Sequence, residues 1–132
     1  LLNPFNSSAK PYLMPFEHFQ YTFVNKMPLA EQQKAYNAVV VPESIRLGRD
    51  GLGSGSKIDF SKAHAPLLFM GGEIDHIMPA SLNKTNAEKY QKGSSSVTEY
   101  KLFPKRNHYG IAAEGWEEMA DYAYAWIQKQ GV

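Results

Sequence analysis

The chain has 132 residues, of which 43% are hydrophobic, so it is long enough to bury the core of one globular domain. Its 14 basic and 13 acidic residues give a net charge of +1 without long runs of either sign, so its charge indicates neither nucleic acid nor an anionic membrane as a partner. It has no cysteine, which excludes disulfides and thiolate metal sites.

No apolar run approaches the roughly 20 residues that span a bilayer, and the first residues do not resemble a signal peptide. We therefore expect a soluble protein, cytoplasmic by default. The chain begins without methionine, so we also expect it to be a piece of a longer protein.

The first half of the chain predicts two short helices. Side chains recur at helical spacing along the first: Phe16, Phe19, Gln20 and Phe23. Pro15 precedes them, where a first helical turn tolerates proline. The second helix is predicted to begin at Pro28 and to end before Pro42, whose ring disfavours helix in the preceding residue. Its expected inward-facing residues are Leu29, Tyr36 and Val40.

Aromatic residues are frequent in this half, and they either line an apolar pocket or simply pack together. They are Phe5, Tyr12, Phe16, Phe19, Tyr21 and Phe23. A Gly/Ser-rich segment at residues 48–56 follows, and such segments form flexible loops or linkers. It divides the chain in two.

The second half predicts strand, helix, strand and helix, at residues 66–70, 79–91, 97–103 and from about 116. We expect the first strand to be covered on both faces and the second to be exposed on one. The last helix has an apolar face made of Trp116, Met119, Ala120, Ala123 and Ile127. This order predicts a parallel βαβ unit of the α/β class. Two strands are too few for such a sheet, so either the rest of it comes from another polypeptide or this interpretation of the second half is wrong.

Polar side chains follow both predicted strands. Glu73, Asp75 and His76 come after the first strand, and His108 lies in residues 104–110 after the second. Loops at the carboxyl ends of neighbouring parallel strands converge, so Asp75 and His108 are expected to meet there. A carboxylate that orients a histidine in this way supplies two thirds of a catalytic triad. Gly71 and Gly72 are expected to let the backbone turn tightly before this loop.

Residues 65–127 resemble the C-terminal end of an α/β-hydrolase. APLLFMGGEIDHIMP is similar to the penultimate core strand and acid loop of that family, and LFPKRNHYG to its last strand and histidine loop. The helical first half, including VPESIRLGRD, resembles the cap of many members. The family order is nucleophile, acid, histidine. The resemblance implies that Asp75 is the triad acid and His108 the triad base.

The resemblance also implies a fold class and a domain organisation. Residues 57–132 would be the C-terminal part of a three-layer α/β core, and residues 1–56 a helical cap. The activity implied is that of a cofactor-independent, serine-type hydrolase, carboxylesterase-like or lipase-like, that cleaves an ester or similar acyl bond of a small molecule. A dehalogenase or a haloperoxidase-like enzyme of the same fold is an alternative. Candidate substrate-binding residues are Phe16, Phe19, Phe23, Ile77 and Tyr109.

The nucleophile of the family is missing from this sequence. No serine stands in a G-x-S-x-G elbow, including Ser54 and Ser56 in the Gly/Ser-rich segment. The chain alone is therefore predicted to be inactive, and its expected partner is the N-terminal remainder of the same protein or a self-associating copy. A non-catalytic interaction module is the alternative from another class.

Simpler roles compete for the polar residues of the first loop. Asp75 could cap the helix that begins near Pro79. Glu73 and His76 are expected to face solvent or to bind backbone. A metal site that joins these three side chains to His108 is a weaker alternative, because it lacks a known ligand spacing such as H-E-x-x-H. No metal is expected.

Overall fold

The computed structural model describes residues 11–44, 53 and 56–131. Four helices and two strands lie in these residues: α1 (Phe16–Thr22), α2 (Leu29–Val39), β1 (Leu67–Gly72), α3 (Ala80–Gly93), β2 (Thr98–Phe103) and α4 (Glu117–Lys129). Phe5 lies outside the described residues, as does most of the predicted linker at 48–56. No helix in the described part of the chain is long and apolar enough to cross a bilayer.

The two strands form a parallel pair, with α3 as the crossover between them. Their register runs from Leu67 opposite Thr98 to Gly72 opposite Phe103. The predicted βαβ unit and the coarse α/β class are confirmed. The strand β1 continues two residues beyond its predicted end at Met70, because hydrogen bonding to β2 extends to the glycine pair.

The helices α3 and α4 lie on opposite faces of this sheet. The hydroxyl of Tyr100 in β2 donates to the carbonyl of Ala80 in α3, over 3.1 Å. Phe103 packs edge-on against Tyr122 of α4, with 5.7 Å between ring centroids. Residues 100 and 103 are an odd number of positions apart, so their side chains point to opposite faces of the strand.

A small core joins α1 and α2 to the second half of the chain. Its fully packed members are Phe19, Val24 and Ala35, which are 2%, 0% and 5% exposed. Partly buried residues pack around them: Met14, Phe23, Met27, Tyr36, Val40 and Tyr109. Tyr109 comes from the loop after β2, so this core anchors the helical first half to the end of the sheet.

Three predicted burials are wrong. Leu29 is 66% exposed, because the side-chain contacts of α2 with α1 begin one turn later, at Gln32. The helix α4 buries Met119 and Trp126 against the sheet, while Trp116 and Ile127 remain exposed. Its buried stripe is therefore displaced from the predicted one.

The strand β1 was predicted to be covered on both faces, but only its two glycines are buried and the four residues before them are half-buried. Among the described residues, β1 pairs with β2 along one edge only. Its partial exposure follows from this unpaired edge.

Candidate active site

The two loops that carry the predicted catalytic residues meet at the carboxyl end of the sheet. We call residues 73–79, after β1, the acid loop and residues 104–110, after β2, the histidine loop. The backbone N–H of Glu73 donates to the Phe103 carbonyl over 3.0 Å, and that of Ile74 donates to the Arg106 carbonyl over 3.0 Å. The parallel pairing thus continues into the loops and fixes one against the other.

Asp75 and His108 are in direct contact. The Nδ1 atom of His108 lies 2.9 Å from Oδ2 of Asp75. The Asp75 side chain is 9% exposed, whereas that of His108 is 31% exposed. The acid is therefore shielded from water, while part of the imidazole remains open to a reacting group.

The Asp75 carboxylate is held by further bonds from its own loop. Its Oδ1 accepts from the backbone N–H groups of Ile77 and Met78, at 2.8 and 2.9 Å. These groups lie just before α3, whose own N-terminal boundary residue, Pro79, makes no side-chain cap bond. Asp75 therefore has two compatible roles: its Oδ1 orients the strand-to-helix turn, and its Oδ2 binds His108.

This contact determines which imidazole nitrogen is basic. An ionised carboxylate only accepts hydrogen bonds, so Nδ1 of His108 carries the proton that Asp75 binds. In the neutral ring the lone pair is then on Nε2, the nitrogen that takes a proton in general-base catalysis.

The backbone around His108 is fixed by the residue before it. Asn107 is 8% exposed, and its Oδ1 accepts from the Tyr109 N–H over 3.0 Å, which closes a turn around His108. Its Nδ2 donates to the carbonyl of Asn25 over 2.9 Å. The histidine loop is thereby tied to the segment that follows α1.

We call residues 21–25 the bridging segment, because it contacts both loops. Nδ1 of His76 donates to the Tyr21 carbonyl over 2.7 Å, and Nδ2 of Asn25 donates to the Ile74 carbonyl over 2.8 Å. The Phe23 ring meets the His108 ring edge-on, with 5.0 Å between centroids. The helical first half is therefore joined to the acid loop by polar contacts and to His108 by an aromatic contact.

Glu73 and His76 bind backbone, as expected. Oε2 of Glu73 accepts from the Lys105 N–H over 2.8 Å, and His76 binds the Tyr21 carbonyl. Both side chains thus have partners away from His108. Within residues 11–44, 53 and 56–131, no three histidine or acidic side chains converge as a metal site requires.

The glycine pair was predicted to allow a tight turn, and this prediction is wrong. Gly71 and Gly72 lie inside β1 rather than in a turn, and neither has the left-handed backbone that favours glycine. A Cβ atom on Gly72 would collide with the Arg106 carbonyl oxygen. Glycine is needed there because the histidine loop crosses the strand at close range.

The five candidate substrate-binding residues take different places. Phe23 contacts His108 directly, and Phe19 stacks on Phe23 while buried in the small core. Phe16 packs edge-on against Tyr36 of α2. Ile77 holds Asp75 through its backbone. Tyr109 is half-buried against the small core.

Sequence reasoning missed the two asparagines that join the bridging segment to the loops. Neither Asn107 nor Asn25 belongs to a motif, because each amide pairs with backbone far away along the chain. The sequence offers one signal for Asn107, its position beside the candidate histidine His108, and none for Asn25.

A cleft of about 250 Å³ opens beside Asp75 and His108. It is lined by Met70, Gly72, Asp75, Met78, Asn83, Asn107, His108, Gly110, Ile111 and Met119. None of these described side chains has a hydroxyl or thiol group that could act as a nucleophile. The cleft therefore presents an acid and a base with no group for them to activate.

Comparisons with protein-family models, with curated proteins and with solved structures found no match. Function has to be argued from the site itself. Its central feature is the contact between Asp75 and His108.

Proposed function

We propose that this chain supplies the acid and the base of a serine-type α/β-hydrolase, and that the nucleophile comes from sequence outside it. The observation that carries the proposal is the 2.9 Å contact between Asp75 and His108. The two residues follow adjacent parallel strands, in the chain order acid then histidine, which is the order of that family. The cleavage of an ester or a similar acyl bond is the chemistry that this pair supports.

The proposed reaction uses His108 as a proton carrier. Its Nε2 takes the proton of the serine hydroxyl as the serine oxygen attacks the acyl carbon, and then gives that proton to the departing alkoxide. Water repeats the sequence and releases the acid, which restores the serine. Asp75 keeps the proton on Nδ1 and stabilises the imidazolium at each step. Donors for the oxyanion come with the nucleophile segment.

The missing segment has a place to bind. The unpaired edge of β1 would accept a further parallel strand, and the cleft beside His108 has apolar walls at Met70, Ile111 and Met119. Ile111 is 70% exposed in the wall of this cleft, so its side chain is available to a further segment. In this proposal residues 57–132 complete the core of the hydrolase, and residues 1–56 form its cap.

The test is the activity of the complete protein, with this chain and the segment that carries the elbow serine. His108→Ala should lower kcat/KM for an activated ester by about 10⁴-fold or more, because the serine loses its base. The control is His18→Ala, which removes an exposed histidine of α1 that bonds only Tyr12. A loss of only a few-fold in His108→Ala, with folding preserved, would remove His108 from the mechanism.

A fluorophosphonate probe separates the related chemistries. A serine nucleophile should be labelled in the complete protein, and His108→Ala should abolish labelling because the serine is no longer activated. An unlabelled but active enzyme would instead favour the aspartate nucleophile of a dehalogenase.

The second candidate is a non-catalytic module that associates with its own copies. The exposed apolar residues Ile111 and Trp116, at 70% and 46%, favour it. Denaturing and native mass spectrometry of the purified protein distinguish the two. A companion polypeptide with an elbow serine supports the hydrolase, whereas oligomers of the 14.8 kDa chain alone support the module.

A further inference from the structure

A second cavity lies in the helical first half, away from the cleft at the sheet. It is lined by Tyr12, Met14, Phe19, Phe23, Val39, Val40, Val41 and Glu43. Except for Tyr12 and Glu43, these side chains are apolar. Paired backbone hydrogen bonds between Tyr12 and Glu43, at 2.8 and 2.9 Å, join the two chain segments that enclose it.

The size of this cavity limits what it can hold. Its volume is about 120 Å³. An engineered apolar cavity of about 150 Å³ stays dry and binds benzene, so a slightly smaller one suits a single ring or a short alkyl group. The cavity is open to solvent beside Val39 and Val41, which are 48% and 60% exposed. Filling it with an apolar group gains both dispersion contacts and buried area.

One residue connects this cavity to the catalytic pair. The Phe23 ring lines the cavity, stacks on Phe19 with 5.0 Å between centroids, and meets the His108 ring edge-on at the same separation. The Phe23 backbone is also fixed, because its carbonyl accepts from the Tyr109 N–H over 3.1 Å. The cavity and the His108 ring are therefore separated by one aromatic side chain.

We infer that this cavity binds one apolar group of about the size of a benzene ring, and that Phe23 sets its limit on the side of His108. Phe23→Ala would join the cavity to the space at His108 and so let the cavity take a larger group.

The binding part of the inference is tested on this chain without a nucleophile. Fluorobenzene is titrated with the protein, and its ¹⁹F line width is followed; saturable broadening is expected. Val40→Trp fills the cavity and should weaken binding about tenfold or more. Val97→Trp is the matched control, since Val97 is exposed and lies outside this cavity. Amide spectra confirm folding, and Val39→Trp serves as a second filling variant if Val40→Trp does not fold.

The role of Phe23 is tested with a larger probe. Phe23→Ala, which joins the cavity to the space at His108, should bind 2-fluoronaphthalene about tenfold more tightly than the unmodified chain does. Fluorobenzene broadening that does not saturate, or that survives both filling variants, would overturn the site. Equal binding of 2-fluoronaphthalene by the two proteins would overturn the limit at Phe23.

The outcome is separable from that of the proposed function. His108→Ala should leave fluorobenzene binding unchanged within about twofold, because the histidine does not line the cavity. If the chain binds fluorobenzene but the complete protein has no esterase activity, the binding site is supported and the hydrolase proposal is contradicted. If the complete protein is an active esterase but the chain does not bind fluorobenzene, only the binding site is contradicted.

Discussion

At the scale of single residues, the site depends on side chains that do not react. Asn107 uses both ends of its amide, one to close the turn around His108 and one to hold the Asn25 carbonyl. Asp75 and His108 were predictable because each follows a strand and belongs to a recognisable loop. Asn25 was not, because its partners lie 49 and 82 positions away and leave no local pattern.

Asn107→Ala should lower the free energy of unfolding by about 2 kcal/mol, because it removes two hydrogen bonds of about 1 kcal/mol each. Asn107→Ser should cost about half as much, because a serine hydroxyl can still accept from the Tyr109 N–H. Urea unfolding measures both. The control is Asn37→Ala, whose exposed amide bonds only Gln33. Equal stability of Asn107→Ala and the control would show that the two hydrogen bonds of the Asn107 side chain do not stabilise the histidine loop.

At the scale of elements, strands and helices were predicted within a few residues, but the direction in which some of them face was not. The apolar residues of α4 are numerous enough to define two neighbouring stripes. Only packing against Phe103 selects the stripe that includes Met119 and Tyr122 over the one that includes Trp116. Similarly, the crossing of the histidine loop over Gly72 is a tertiary contact that no local pattern encodes.

Gly72→Ala should lower the free energy of unfolding by about 1–3 kcal/mol, as for other overpacked sites, because its methyl group meets backbone that cannot move freely. Gly71→Ala should cost less, because its closest contacts, 3.0 Å to the Tyr100 hydroxyl and 3.3 Å to the Ala80 Cα atom, are longer than the contact between Gly72 and the Arg106 carbonyl oxygen. Thermal and urea unfolding show which of the two variants is less stable. A larger loss of stability in Gly71→Ala than in Gly72→Ala would contradict the close approach of the histidine loop to β1.

Tyr100 links β2 to the start of α3, and burial raises the pKa of its phenol above the ordinary value of 10.0. The unfolded chain therefore loses this proton first, and the stabilisation is full below about pH 10 and declines as the pH rises through the folded pKa. Tyr100→Phe should cost about 1 kcal/mol at pH 7 and lack this alkaline component.

The measurement for Tyr100 is urea unfolding from pH 8 to pH 11. Tyr124→Phe, at a site that is 66% exposed, controls for the general effect of high pH. If Tyr100→Phe and the unchanged chain lose stability in parallel above pH 10, the phenol is not protected by the fold.

At the scale of the whole molecule, β1 pairs along one edge only within the part of the chain that the structure describes, and an apolar cleft is open beside His108. Further sheet from another polypeptide stays a prediction, which rests on the marginal stability of a two-stranded sheet alone. The exposure of Ile111 and Trp116 could not be predicted, since it depends on how the histidine loop and α4 pack.

The exposed cleft should make the isolated chain prone to self-association. Ile111→Lys should shift it toward the monomer, because a charge then replaces an apolar side chain that is 70% exposed. Ile58→Lys is the matched control at a site that is 58% exposed and lies outside this cleft. Sedimentation velocity over a range of concentrations gives the comparison. An equal effect of the two changes would mean that the cleft is not the associating surface.

The catalytic pair itself is tested most directly by long-range ¹H–¹⁵N NMR of His108, at a pH where its ring is neutral. The predicted result is a proton on Nδ1 and a free lone pair on Nε2, with a switch to the opposite tautomer in Asp75→Asn. A proton on Nε2 in the unchanged chain, or the same tautomer in both proteins, would show that Asp75 does not orient His108, and would contradict the hydrolase proposal at its base.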